Sequence, residues 1–157
     1  MASHLHEYAA HCRWSGTTAV GYDDYDRSHE VVLGDGSTTL RMSADPAFGG
    51  TGELSNPEQL LLAAATSCQM LSFLAVAARA RLDVLQYDDD CQAFMPDDDQ
   101  PVRVTRIVLR PRITIAALGR PVDTARLERL VAVAHEECFI ARSLRSEIEI
   151  VPEFVIR

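Results

Sequence analysis

Residues 55–80 read SNPEQLLLAAATSCQMLSFLAVAARA, and this stretch decides the fold. It predicts one long helix. Asn56 suits the N-cap, Pro57 suits a first turn that needs no N–H, and Gln59 suits the third position of a capping box. Residues 60–78 hold no charge, a run of 19 residues. That length matches a membrane span. Thr66, Ser67, Gln69 and Ser72 make the run too polar for lipid, and its many alanines are weakly apolar. A helix without charge on any side in a water-soluble domain is a central, buried one, and that is the expectation here.

Working outward, the flanks read as strands. Residues 7–14 (EYAAHCRW) predict a first strand, followed by a polar loop with aromatic anchors at 16–29. Asp35-Gly36 between two β-prone runs predicts a hairpin. Residues 45–55 form a glycine-rich loop, for which a flexible lead-in to the helix is a simpler account than an anion cradle. Beyond the helix, residues 82–94 predict a strand and 102–116 a long one bent at Pro111. Residues 122–139 predict an amphipathic helix capped by Asp123, and 146–157 a final strand. The order of elements predicts an α+β fold with antiparallel sheets, as a single domain over residues 1–157.

Composition narrows the function. The chain has 157 residues and 47% apolar content, enough for a packed core. A net charge of −8 gives no attraction to nucleic acid or to an anionic membrane surface. All 15 basic residues are arginine, which excludes lysine Schiff-base chemistry and a Walker-type phosphate loop. The N-terminus is too polar for a signal peptide, so a cytoplasmic location is expected. The four cysteines, Cys12, Cys68, Cys91 and Cys138, lie far apart with no CxxC pair. His135 stands three residues before Cys138, a metal-ligand spacing with no second pair to complete it, so no metal or other cofactor is expected. The acidic runs 88–90 and 97–99 read as solvated.

The string Asn56-Pro57-Glu58-Gln59-Leu60, with Cys68 ten residues after the glutamate, resembles the signature of the OsmC/Ohr family. Cys138, on a helix shortly before the last strand, is similar to that family's second signature, and the element order matches over the whole chain. The resemblance implies an OsmC-like, intertwined homodimer that reduces organic hydroperoxides or hydrogen peroxide. It implies a peroxidatic Cys68, a resolving Cys138, and a disulfide between them that an external dithiol, lipoyl-type in this family, reduces. It also implies a glutamate, matched by Glu58, and an arginine, best matched by Arg27 with Arg13 and Arg41 next. Phe139-Ile140-Ala141 follows Cys138 where many members carry proline, which marks a side branch.

The chemistry fits this division. A peroxidatic cysteine reacts as the thiolate, and an uncharged helix disfavours charge, so Cys68 needs a nearby cation. Glu58 is expected to orient that guanidinium by bidentate pairing. Cys138, near a helix C-terminus, faces partial negative charge and suits the resolving role. Cys12 and Cys91 read as plain strand residues. In a continuous helix, Glu58 and Cys68 stand roughly 15 Å apart along the axis and about 80° short of eclipsed. Two such helices crossed antiparallel near Ala63-Ala64-Ala65 bring each Glu58 to the other chain's Cys68. Two other functions are set against the enzyme: a non-catalytic dimer binding a small apolar molecule, and a thiol peroxide sensor.

Overall fold

The capping box read at Asn56 forms in full. The Gln59 amide donates to Asn56 Oδ1 at 2.9 Å, and the Asn56 amide donates to Gln59 Oε1 at 3.1 Å. This geometry comes from a computed structural model, which describes residues 4–117 and 123–157. The helix that follows, α1, runs without interruption from Pro57 to Arg79. Asp123 caps the second long helix, α2 (Thr124–Glu137), by accepting from the Ala125 amide at 3.0 Å. Val122, where the sequence reading started that helix, lies outside the described residues. A third helix, α3 (Phe139–Ser143), follows at once.

The chain divides into two units, residues 1–60 and 61–157. The first holds an antiparallel sheet of β1 (Ala10–Arg13), β2 (His29–Leu33) and β3 (Thr38–Met42), in that order. The predicted hairpin joins β2 to β3. Gly34 and Gly36 take positive φ there, and Asp35 Oδ1 accepts from the Ser37 amide. On β1, Cys12 points to one face while His11 and Arg13 point to the other.

The second unit is built from three strands, each broken once. β4 (Val84–Asp89) continues as β5 (Gln92–Phe94), β6 (Arg106–Leu109) as β7 (Pro111–Ile115), and β8 (Glu147–Ile150) as β9 (Glu153–Ile156). The two resulting sheets are ordered β4-β7-β9 and β5-β6-β8. Pro111 and Pro152, which lack an N–H, stand at two of the breaks. At the third, Asp89 accepts from the Arg110 amide at 2.7 Å and from the Thr66 hydroxyl of α1. The antiparallel expectation holds for β4/β7 and β5/β6, but β7/β9 and β6/β8 are parallel. The crossover through α2 returns the chain to the same end of the sheet, and a strand that returns this way runs parallel.

α1 packs its lower half on one sheet and its upper half on the other. Ala65 meets Ile107 and Leu109, while Phe73, Val76 and Ala77 meet Ile113, Ile115 and the α2 residues Leu127, Val131 and Ala134. The expectation of burial on every side is corrected. Only the stripe through Ala65, Gln69, Phe73, Val76 and Ala77 is buried. Ala63, Ala64, Ser67, Leu71, Ala75 and Ala78 are exposed, with Leu71 at 60%. One sheet layer covers one face of a helix, and the other apolar face of α1 remains open within this chain.

Candidate active site

The second unit brings Cys68 and Cys138 together. Cys138 falls at the joint between two helices: it is the C-cap of α2 and the N-cap of α3. Its sulfur accepts from the Ala141 amide at 3.5 Å. The Cys68 sulfur, from α1, accepts from the next amide back, that of Ile140, also at 3.5 Å. The two sulfurs thus meet at the first turn of α3, and both are free thiols. Cys138 is 1% exposed, while Cys68 is half-buried and reachable.

Burial pushes the Cys138 thiol above its ordinary range, the Cys68 thiol adds to the shift, and the Ala141 N–H opposes it. The sequence reading expected the same direction from a helix C-terminus. Cys138 does stand at the C-terminus of α2; desolvation is the largest cause of the shift, and the amides of α3 act the other way. Cys91 lies at the break between β4 and β5. Burial, and then Asp89, push its thiol up as well. Tyr87 of β4 packs against Phe73 at 6.0 Å between centroids with the rings tilted, and its buried hydroxyl has no hydrogen-bond partner among the described residues. His135 does not join the sulfurs. It lines a separate groove with Ile148, Ile150 and Pro152.

The first unit brings Arg27 and Glu58 together, on the wall of a cavity of about 530 Å³. Trp14, Tyr22, Tyr25 and Phe48 supply its aromatic lining. Arg27 is 8% exposed. Its guanidinium carbon lies 4.0 Å from the Tyr25 ring centroid and 4.9 Å from that of Tyr22. Nη1 donates to the carbonyls of Tyr25 (3.0 Å) and Gly49 (3.3 Å), and Nη2 donates to that of Tyr22 (2.6 Å). Gly49 takes φ +77°, and a Cβ there would meet the guanidinium carbon at 2.7 Å. At Gly50 a Cβ would stand 1.7 Å from the Ala44 carbonyl oxygen. The glycine-rich loop is therefore a closely packed wall against Arg27, and the reading of it as a flexible lead-in is corrected.

The expected bidentate pairing is also corrected. Among the described residues, Arg27 has no carboxylate within ion-pair distance. Three carbonyls and two tyrosine rings satisfy the fork, which leaves the Glu58 carboxylate free and half-buried in the same cavity. Arg13 pairs with Glu30 at 2.6 Å and, with Arg41, lines a different polar groove. Of the three candidate arginines, Arg27 is the one that shares a cavity with Glu58. Cys12, assigned no role from sequence, is exposed and lines the cavity beside Trp14. Its two-residue spacing from Trp14 was the available signal. Gly49, 22 residues from Arg27, gave none.

The fold and the two signatures define an OsmC-like protein. The chain belongs to the OsmC-like protein family, whose sequence model matches residues 50–153. An OsmC-like protein of unknown function from Vibrio cholerae is 30% identical, with 96% of this chain and 100% of that one covered and a TM-score of 0.80. An organic hydroperoxide resistance protein from Legionella pneumophila shares the fold at 19% identity and TM-score 0.68, with 97% of this chain and 98% of that one covered. The uncharacterized Bacillus subtilis protein YmaD is 21% identical over 145 residues, 92% of this chain and 91% of its own.

Proposed function

We propose that this protein is a cysteine-based peroxidase for organic hydroperoxides, and for hydrogen peroxide. The observation that carries the reading is the convergence of a reachable thiol, Cys68, and a buried one, Cys138, on adjacent backbone amides of α3. Cys68, as the thiolate, attacks the terminal peroxide oxygen. An S–O bond forms, the O–O bond breaks, and the departing alkoxide takes up a proton as alcohol. Cys138 then attacks the sulfenic acid sulfur. The disulfide forms, and its thiol proton leaves with the hydroxide as water. An external dithiol returns both thiols. Arg27 supplies the cation that favours the thiolate, and Glu58 accepts from the peroxide O–H. Membership of a family that includes hydroperoxide-resistance proteins supports the reading.

The reading includes a homodimer with crossed α1 helices. An uninterrupted α1 keeps Glu58 and Cys68 roughly 15 Å apart along the axis within one chain. The exposed face at Ala63, Ala64 and Leu71 suits a second copy of the same helix. In that arrangement, the Arg27 and Glu58 of one chain serve Cys68 of its partner.

Two measurements test this. Consumption of cumene hydroperoxide should proceed with dihydrolipoamide as reductant and be compared with hydrogen peroxide and with thioredoxin. No consumption under any pairing ends the peroxidase reading. Inactive Glu58→Ala and Cys68→Ser chains, refolded together, should regain part of the activity, because some heterodimers hold one intact site. A mixture that stays inactive while mass spectrometry shows exchange ends the crossed-helix arrangement.

A further inference from the structure

The first turn of α3 gives its unpaired amides to sulfur. The Arg142 amide makes the first helical bond, to the Cys138 carbonyl. The amides before it have no helical acceptor. That of Ala141 donates to the Cys138 sulfur and that of Ile140 to the Cys68 sulfur, each at 3.5 Å. The Ile140 amide thus bonds the Cys68 sulfur while also facing that of Cys138, and the Ala141 amide bonds the Cys138 sulfur. Among the described residues, no arginine or histidine side chain donates to either sulfur.

We infer that the backbone N–H of Ile140 is a catalytic group of the thiol pair, donating to the Cys68 sulfur as it carries charge and holding it toward Cys138. The inference rests on the peroxidase reading. A hydrogen bond to an ionised acceptor is stronger than one to a neutral acceptor, so this donor holds the Cys68 sulfur most firmly when it attacks as the thiolate. The same donor then faces the sulfur through the next step. When Cys68 has become a sulfenic acid, an N–H carried one residue beyond Phe139 keeps that sulfur beside the thiol that must attack it. The disulfide then forms with loss of water, and no group beyond the two thiols and the hydroperoxide takes part in the electron balance. Five residues are too few for α3 to act through its dipole; two individual bonds carry the effect.

A backbone donor is tested by deleting its hydrogen. Ile140 stands in the first turn of α3, where proline is tolerated. Ile140→Pro therefore removes the donor to Cys68. Phe139→Pro is the control: it keeps the Ile140 N–H, and the preceding Cys138 already has the extended backbone that a residue before proline requires. The readout is the rate at which iodoacetamide alkylates Cys68 in the full-length protein, followed by peptide mass spectrometry so that the exposed Cys12 is counted apart. Losing a donor lowers the thiolate fraction but raises the nucleophilicity of each thiolate, so the two effects partly offset. Alkylation should fall about threefold at neutral pH and rise about threefold in alkali, where the thiol is fully ionised. A merely displaced sulfur gives no such reversal.

After one equivalent of cumene hydroperoxide, Ile140→Pro should also yield more sulfinic acid and less disulfide than Phe139→Pro. If Ile140→Pro does not fold, an amide-to-ester replacement at 140 removes the same hydrogen without the ring. Equal Cys68 alkylation in the parent protein and in the donor-deleted one, at both pH values, overturns the inference while leaving peroxidase activity standing. So does an equal loss in Phe139→Pro. A parent protein that consumes no peroxide overturns the peroxidase reading itself, and the catalytic role of Ile140 with it.

Discussion

The two units divide the chemistry between them. Residues 61–157 gather the sulfurs in a setting of apolar side chains and backbone amides. Residues 1–60 gather a buried guanidinium and a free carboxylate around an aromatic cavity, with the lone thiol of Cys12 on its wall. Each region solves a different problem. In the proposed reaction Cys138 is the resolving thiol, and desolvation would keep it protonated until it is needed. Arg27 is buried without a paired carboxylate among the described residues and gives its donors to carbonyls, which would leave its charge available to a substrate in the proposed reaction.

The sharpest test of that contrast is the cysteines. Cys68→Ser should abolish peroxide consumption. Cys138→Ser should allow one turnover and then over-oxidise at Cys68, because nothing resolves the sulfenic acid. Peptide mapping after one equivalent of peroxide should find a Cys68–Cys138 disulfide with Cys12 and Cys91 still free. If Cys138→Ser removes the first turnover as well, the roles of the two thiols are reversed.

The next test falls on the other region. Arg27→Ala should slow peroxide attack at least tenfold. It should also cost about 1–2 kcal/mol of stability, because three part-buried hydrogen bonds and the contact with two tyrosine rings are lost. Gly49→Ala, through a positive φ and a clash with the guanidinium, should lower activity in the same direction without touching a charge. Arg13→Ala, whose exposed pair with Glu30 is weak, should change neither quantity much. Peroxide consumption and thermal unfolding on the three variants decide whether Arg27 is the activating cation.

What the sequence made legible was local. The capping box at Asn56, the cap at Asp123 and the turn at Asp35-Gly36 each depend on residues at most three positions apart, and each formed as read. Cys68 and Cys138 were legible through the motifs around them. What stayed hidden depends on contacts across the sequence. The parallel pairing of β8 and β9 follows from where α2 returns the chain, and hydrophobic alternation does not encode direction. The partners of Arg27 come from a carbonyl 22 residues away, which carries no side-chain signature. The uncharged run at 60–78 stated that both faces of α1 are apolar but not which one its own sheet covers.

Titration distinguishes the regions more gently. Burial raises the Cys138 thiol, so between its ordinary and its raised value the folded protein holds a proton that the unfolded chain has lost. Stability from this group is complete below roughly pH 9 and is lost as the pH climbs through the raised value. Tyr87, raised by burial and Asp89, acts with the same sign at still higher pH. Cys138→Ala should flatten the first part of the alkaline loss of stability in urea unfolding. An unchanged slope in Cys138→Ala would detach the alkaline loss from burial of this thiol.

The smallest effect compares the two helix caps. Asn56→Ala and Asp123→Ala each remove one side-chain acceptor from a helix N-terminus, at about 1 kcal/mol, or roughly 2–4 °C in Tm for a chain of this size. Asn56 has more attached to it, since its Nδ2 also donates to Asp45 at 3.3 Å and Glu58 stands two residues on, in the turn that its cap holds. Fraying of that turn moves the carboxylate on the cavity wall, so Asn56→Ala should lower peroxide consumption severalfold. Asp123 caps a helix that carries no group of the Arg27 cavity, and Asp123→Ala should keep its activity at the same loss of Tm. Equal activity in the two variants, with matched Tm, would mean that Glu58 does not act from the first turn of α1.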